Sequence, residues 1–232
     1  MKALDVAYAL NASASPKKAA EATRFFKVYK GAYGYGDTFI GITIPEQRSV
    51  AKTFKNLSLV EVEKLLRSHI HEYRMTALLI LVIQYEKADE MGRARIVRSY
   101  IKNVSKVNNW DLVDASAPYI LGAYIEKNSR DILYTYAVST SLWKRRIAIV
   151  ATQYLIRKGE FTDTLKISEL LLCDSQDLIH KAAGWMLREV GKKDIKALKG
   201  FLDTHVTRMP RTMLRYAIER LSPFERKHYM NI

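Results

Sequence analysis

Cysteine is the scarcest side chain in this sequence: one residue, Cys173, among 232. A single thiol excludes an intrachain disulfide and any cluster of cysteine metal ligands. Within the run Leu170-Leu171-Leu172-Cys173 it is expected as a small buried side chain. The five histidines are scattered, and His71 and His180 stand in no metal-ligand spacing, so neither metal nor cofactor is expected. No apolar run approaches the length of a bilayer span. The start, Met1-Lys2-Ala3-Leu4-Asp5, lacks the apolar core and cleavage site of a signal peptide. The expectation is a soluble, cytoplasmic protein with no membrane partner. Strand-like alternation is nearly absent, which argues against a sheet.

Acidic residues are also short. Lys and Arg number 38 against 24 Asp and Glu, a net charge of 38 − 24 = +14. A fold does not require that excess; it points to a polyanionic partner, nucleic acid before an anionic membrane. Helix signals fill the chain. Ser15-Pro16 reads as an N-cap and first helical position, opening a helix to about Lys30. Residues 31–37, with three glycines and two exposed-looking tyrosines, read as a loop. Pro45 opens another helix to about Phe54, and helical spacing of apolar residues runs from Ser58 almost to the end. Pro118, Pro210 and Pro223 fall at helix starts or bends.

Five segments line up as repeats, beginning at Arg74, Trp110, Arg146, Lys181 and Arg215. Their spacings are 36, 36, 35 and 34 residues. A period near 35 fits a helix pair, and stacked pairs bury faces that one pair cannot bury alone. Equivalent helices would then line one concave face across a single domain, residues 1–232. Arg74, Arg146, Lys181 and Arg215 supply a cationic row on it. Lys144, Arg145, Arg188, Lys192, Arg208 and Arg211 reinforce that row. Such a row would follow a duplex backbone, giving affinity without sequence reading; the alternative is a solvated helix face.

The second segment breaks the pattern. Trp110 replaces the cation, and Asp114 follows one turn later on the same helix face. Trp185 stands at a similar phase in the fourth segment. A carboxylate in a basic groove is electrostatically costly unless it acts. Each aromatic face attracts a cation by about 0.5–2 kcal/mol, and a carboxylate about 4 Å away contributes roughly 4 kcal/mol at an effective dielectric of 20. The plain alternatives are core packing for Trp110 and Trp185, and an ordinary surface role for Asp114. Trp143 is assigned to the core or beneath the row. Asp111 has a structural explanation, an acid in the first helical turn after an Asn108 or Asn109 cap.

Several stretches resemble the AlkD-type family of HEAT-like DNA alkylation-repair glycosylases. They are Phe25-Phe26-Lys27, residues 30–42, Pro45-Glu46-Gln47-Arg48, residues 109–114 with Ala117-Pro118, residues 142–148 and residues 181–189. They span nearly the whole chain in the family's order. The Trp-Asp-x-x-Asp and Lys-Ala-x-Gly-Trp-x-Leu-Arg-Glu motifs are the specific ones. The resemblance implies an all-α, HEAT-like helical repeat solenoid (an α-α superhelix) with a concave basic face. It places the catalytic aspartate on Asp114, the two cleft tryptophans on Trp110 and Trp185, and a DNA-backbone arginine on Arg146. The sequence departs from it at Phe25, where some members carry tyrosine near the lesion.

The implied activity is hydrolytic removal of positively charged N3- and N7-alkylpurines from duplex DNA by a monofunctional glycosylase; a monomer is expected because a concave duplex-binding array needs no partner. A cationic base leaves as a neutral molecule, so no general acid is required, which matches a sequence with no well-placed histidine or second carboxylate. Asp114 would stabilise positive charge on the sugar and position the water. Lys144, Arg145, Lys181, Arg188, Arg74 and Arg215 would bind DNA with Arg146 and Phe25. Two other classes compete. A non-catalytic DNA-binding array gains nothing from Asp114, and a protein-interaction scaffold predicts no salt-sensitive duplex binding.

Overall fold

The computed structural model describes residues 1–232. It is all-α; one parallel bridge between Thr38 and Ile70 is the sole extended pairing. Contacts divide the chain into two compact units, Met1–Ser116 and Ala117–Ile232.

The first unit holds α1 (Ala3–Asn11), α2 (Pro16–Phe25), α3 (Ile44–Thr53), α4 (Leu59–Leu66), α5 (His71–Lys87), α6 (Glu90–Lys102) and α7 (Trp110–Ser116). Local chemistry sets the helix starts. The Ser15 hydroxyl accepts from the Lys18 amide, with Pro16 in the first turn of α2. Thr43 and Glu46 close a capping box on α3, the Thr43 amide donating to Glu46 Oε2 at 2.7 Å. Asp89 Oδ1 accepts from Gly92 N at 2.8 Å at the start of α6. Helix α5 is the centre: α3, α4, α6 and α7 all pack on it. Its Leu78, Ile80 and Leu81 are fully buried, as are Val62 and Leu66 of α4 and Leu112 and Val113 of α7. Burying each such side chain contributes about 1.5–3 kcal/mol.

The second unit begins with a π-helical turn at Pro118–Gly122, in which Gly122 N donates to Ala117 O at 2.8 Å. There follow α8 (Ala123–Ile125), α9 (Asp131–Ala137), α10 (Leu142–Ala151), α11 (Gln153–Arg157), α12 (Thr162–Leu170), α13 (Asp177–Lys193), α14 (Ile195–His205), α15 (Arg211–Ala217) and α16 (Pro223–Met230). Helix α13 packs on α10, α14 and α15. At Gly184 a Cβ would stand 2.4 Å from Met213 O, so only glycine lets α13 and α15 approach this closely.

All five repeated segments lie on helices: Arg74 in α5, Trp110 at the start of α7, Arg146 in α10, Lys181 in α13 and Arg215 in α15. Within the first unit α5 packs on α7; within the second, α10, α13 and α15 pack in succession. Stacked segment helices are therefore found inside each unit.

Two expectations are corrected, while Pro118 falls at a helix start as expected, the turn being π-helical. Helix α2 ends at Phe25, not near Lys30, because Lys27 adopts a left-handed backbone (φ 54°) that turns the chain. Cys173 is exposed, since α12 has already ended at Leu170 and the thiol sits on the turn beyond it.

Candidate active site

A cleft of about 700 Å³ opens in the first unit. Helices α2, α3, α5 and α7 and the loop from Phe26 to Thr43 wall it. Trp110 and Asp114, a turn apart on α7, both line it, with Asp111 between them in sequence.

An aromatic cluster forms one wall. Phe26 stacks on Trp110 with centroids 5.4 Å apart and on Phe39 at 4.9 Å. Phe25 meets the Trp110 ring edge-on at 5.9 Å and is 65% exposed. Phe25, Trp110 and Asp114 are thus brought to one cleft, and half-buried Trp110 packs with aromatics on the cleft wall instead of sinking into the core.

Beneath this wall runs a buried polar network. His71 opens α5, and both its ring nitrogens meet carboxylates: Nδ1 lies 3.0 Å from Asp37 Oδ2, and Nε2 lies 2.8 Å from Asp111 Oδ2. Asp37 also accepts from Arg74 Nη2 at 2.6 Å and from Asn109 Nδ2 at 3.1 Å. Burial opposes charge on His71, but hydrogen bonds from it to Asp111 and Asp37 outweigh burial and raise its pKa above 6.5. Burial likewise pushes Asp37 up. The His71 hydrogen bond, the Arg74 charge and the Asn109 amide overcome it and hold Asp37 below 3.8. Next to His71, Glu72 accepts from the backbone amides of Ile40 (3.1 Å), Gly41 (2.8 Å) and Ile42 (3.4 Å). Gly41 has φ +81°, and a Cβ there would lie 2.1 Å from Ser15 O, so the loop presses directly on the start of α2.

These facts correct two readings. The cleft does hold a histidine and further carboxylates, His71, Asp111 and Glu72. Asp111 does sit in the first turn of α7, its Oδ1 accepting from Leu112 N at 2.8 Å, yet its other oxygen takes His71. Sequence spacing concealed this, since Asp37 and His71 are 34 residues apart and His71 and Asp111 are 40 apart. The available signal was a lone aspartate closing the glycine-rich loop. Asp37, His71 and Asp111 stand in line, with the ring between the carboxylates, and do not form a metal-ligand shell.

The cations of the expected row differ widely in exposure. Arg74 is 3% exposed and spans Asp37 and Ser68 O. In the second unit Arg146 is 5% exposed and donates to Leu178 O at 2.6 Å. Arg145 pairs with Asp174 at 2.5 Å and donates to the Ser139 and Thr140 carbonyls. Arg188 pairs with Glu219. These guanidinium groups tie helix starts and loops together, which withdraws them from solvent. Lys144 lies over the Tyr136 ring at 5.4 Å, Lys181 pairs with Asp177 at 2.8 Å, and Arg215 is exposed. Trp185, half-buried on α13, donates from Nε1 to Glu189 Oε1 at 3.2 Å.

The sequence matches the DNA alkylation repair enzyme family over residues 6–221, and the chain belongs to that family. Among solved structures it is similar to a predicted DNA alkylation repair enzyme from Enterococcus faecalis. The TM-score is 0.73 at 18% identity, covering 90% of this chain and 97% of that one. It is also similar to a member of a family described as related to the HEAT-like repeat DNA glycosylases with affinity for branched DNA structures. There the TM-score is 0.60 at 13% identity, covering 94% of this chain and 83% of that one. No curated protein matches. The fold is a HEAT-like helical repeat. No helix is long and apolar enough to cross a membrane.

Proposed function

We propose that the protein is a DNA glycosylase that hydrolyses the N-glycosidic bond of cationic N3- or N7-alkylpurines in duplex DNA. The observation that carries this reading is the joint placement of Trp110 and Asp114 on one aromatic cleft in a chain of the alkylation-repair family. The C1′–N9 bond breaks, and its electron pair neutralises the departing base. Positive charge builds on the sugar, where the Asp114 carboxylate stabilises it. Water adds at C1′ and gives its proton to Asp114 or to solvent, leaving an abasic site. Trp110 contributes its face to the cation. Lys144, Lys181 and Arg215 are assigned to phosphates, while Arg145, Arg146 and Arg188 shape the surface that carries them.

Release of 7-methylguanine from methylated duplex by the wild type, lost in Asp114→Asn with duplex binding retained, is the expected result. Equal release by both proteins overturns the role of Asp114. A second reading, binding without chemistry, has one observation in its favour: similarity to a protein of the family with affinity for branched DNA. It predicts tight salt-dependent binding and no release.

A further inference from the structure

A neutral imidazole carries one N–H, yet both nitrogens of His71 stand at hydrogen-bond distance from carboxylate oxygens. With one proton missing, a bare lone pair would face a carboxylate. The doubly protonated ring donates to both. At 2% exposure it offers neither proton to a substrate, so it is no general acid. Phe39 and Phe26 lie against it at 4.6 and 5.1 Å, and such aromatic faces favour a cation.

The surrounding charges leave this ring a specific task. Asp37 meets it from the loop and Asp111 from α7, Glu72 and Arg74 follow it on its own helix, and Asp114 lines the same cleft. Lys18 and Glu21 of α2 and Arg48 of α3 line the same cleft. Arg74 holds the other oxygen of Asp37, and Glu72 holds backbone amides. The ion pair that Asp111 makes is with His71.

We propose that His71 is a positioning residue: an imidazolium strut between Asp37 and Asp111 that fixes the first turn of α7, and with it Trp110 and Asp114. Its catalytic half rests on the glycosylase reading above. When the ring loses a proton, one contact turns repulsive. Asp111 then loses the ion pair it makes with His71, and α7 loses its tie to the loop.

The test uses nitrogen-15 NMR of the full chain across pH, with the His71 ring assigned by its disappearance in His71→Gln. Both ring nitrogens should read as protonated at pH 7 and titrate above 6.5. The Trp110 indole resonance should move with the same midpoint, and Asp111→Asn should lower that midpoint by about one pH unit. A neutral ring at pH 7, or a Trp110 signal indifferent to the titration, overturns the proposal. In the activity arm, wild-type release of 7-methylguanine falls roughly tenfold through the same pH range, as for loss of one charge-assisted hydrogen bond. His71→Gln, slower throughout, has no such limb. A limb unchanged in that variant also overturns the proposal. Absence of release at every pH rejects the glycosylase reading, while the two resonances still decide whether the strut exists.

Discussion

Phe26 and Trp110 stack with ring centroids 5.4 Å apart and planes 21° from parallel. Phe26 follows the last residue of α2 and Trp110 is the first of α7, so one aromatic contact joins two helix ends to the cleft wall. Removing the ring from Phe26→Ala should cost about 2–3 kcal/mol, below the full core value because Phe26 is half-buried. Urea unfolding measures this, and a cost under about 0.5 kcal/mol, typical of a surface site, would contradict it.

Phe25 predicts the opposite division of effects. It is largely exposed, so Phe25→Ala should leave stability within about 0.5 kcal/mol of wild type. Its ring nevertheless borders the Trp110 edge. Loss of a stacking contact worth about 1 kcal/mol should reduce lesion-duplex affinity roughly fivefold. Titration of a fluorescent methylated duplex checks it; unchanged affinity removes Phe25 from the interface.

Arginines of the repeat row should separate into two kinds. Arg74→Met leaves Asp37 buried without its guanidinium and should cost about 3–5 kcal/mol in thermal or urea unfolding. Arg215→Ala should barely alter unfolding, but should reduce the slope of log affinity against log salt by about one. If Arg215→Ala leaves that slope intact, the exposed guanidinium is not a phosphate ligand.

Glu72 holds three backbone amides of the loop with one carboxylate. Glu72→Gln presents an amide N–H to one or more of these donors and should destabilise the unit by about 1–3 kcal/mol. Hydrogen exchange at Ile40, Gly41 and Ile42 should quicken most. Uniform exchange changes across α5 would argue instead for general unfolding.

The pH dependence has a defined sign. The raised pKa of His71 means its stabilisation is present below 6.5 and is lost as pH rises through the higher folded value. The lowered pKa of Asp37 means its contribution is present above 3.8 and is lost as pH falls through the depressed value. Stability should therefore decline at both ends of a window around neutrality, and His71→Gln should flatten the alkaline side. Denaturation midpoints over a pH series test it; an alkaline decline equal in both proteins would assign the effect elsewhere.

Helical periodicity and the 35-residue spacing were enough to read the all-α class and the segment helices, because both follow from local chain geometry. Ser15-Pro16 likewise declares a helix start through side-chain chemistry that reaches only three residues along the chain. Trp110 and Asp114 were legible because their i, i+4 spacing fixes one shared helix face. The His71 network was not, since Asp37 reaches it from a loop whose path depends on Gly41 packing on α2. The burial of Arg74 and Arg146 was not legible for a related reason: a helix phase tells which way a side chain leaves, not whether a neighbouring carbonyl or carboxylate will claim its end.

The turn beyond α12 leaves the molecule with one accessible thiol, Cys173, and no second cysteine to compete. A maleimide dye therefore attaches at a single known point of the second unit without prior mutagenesis, while every residue of the His71 network lies in the first. The same atom makes reducing agent a necessary control, because two copies joined sulfur to sulfur would imitate a dimer in any sizing experiment.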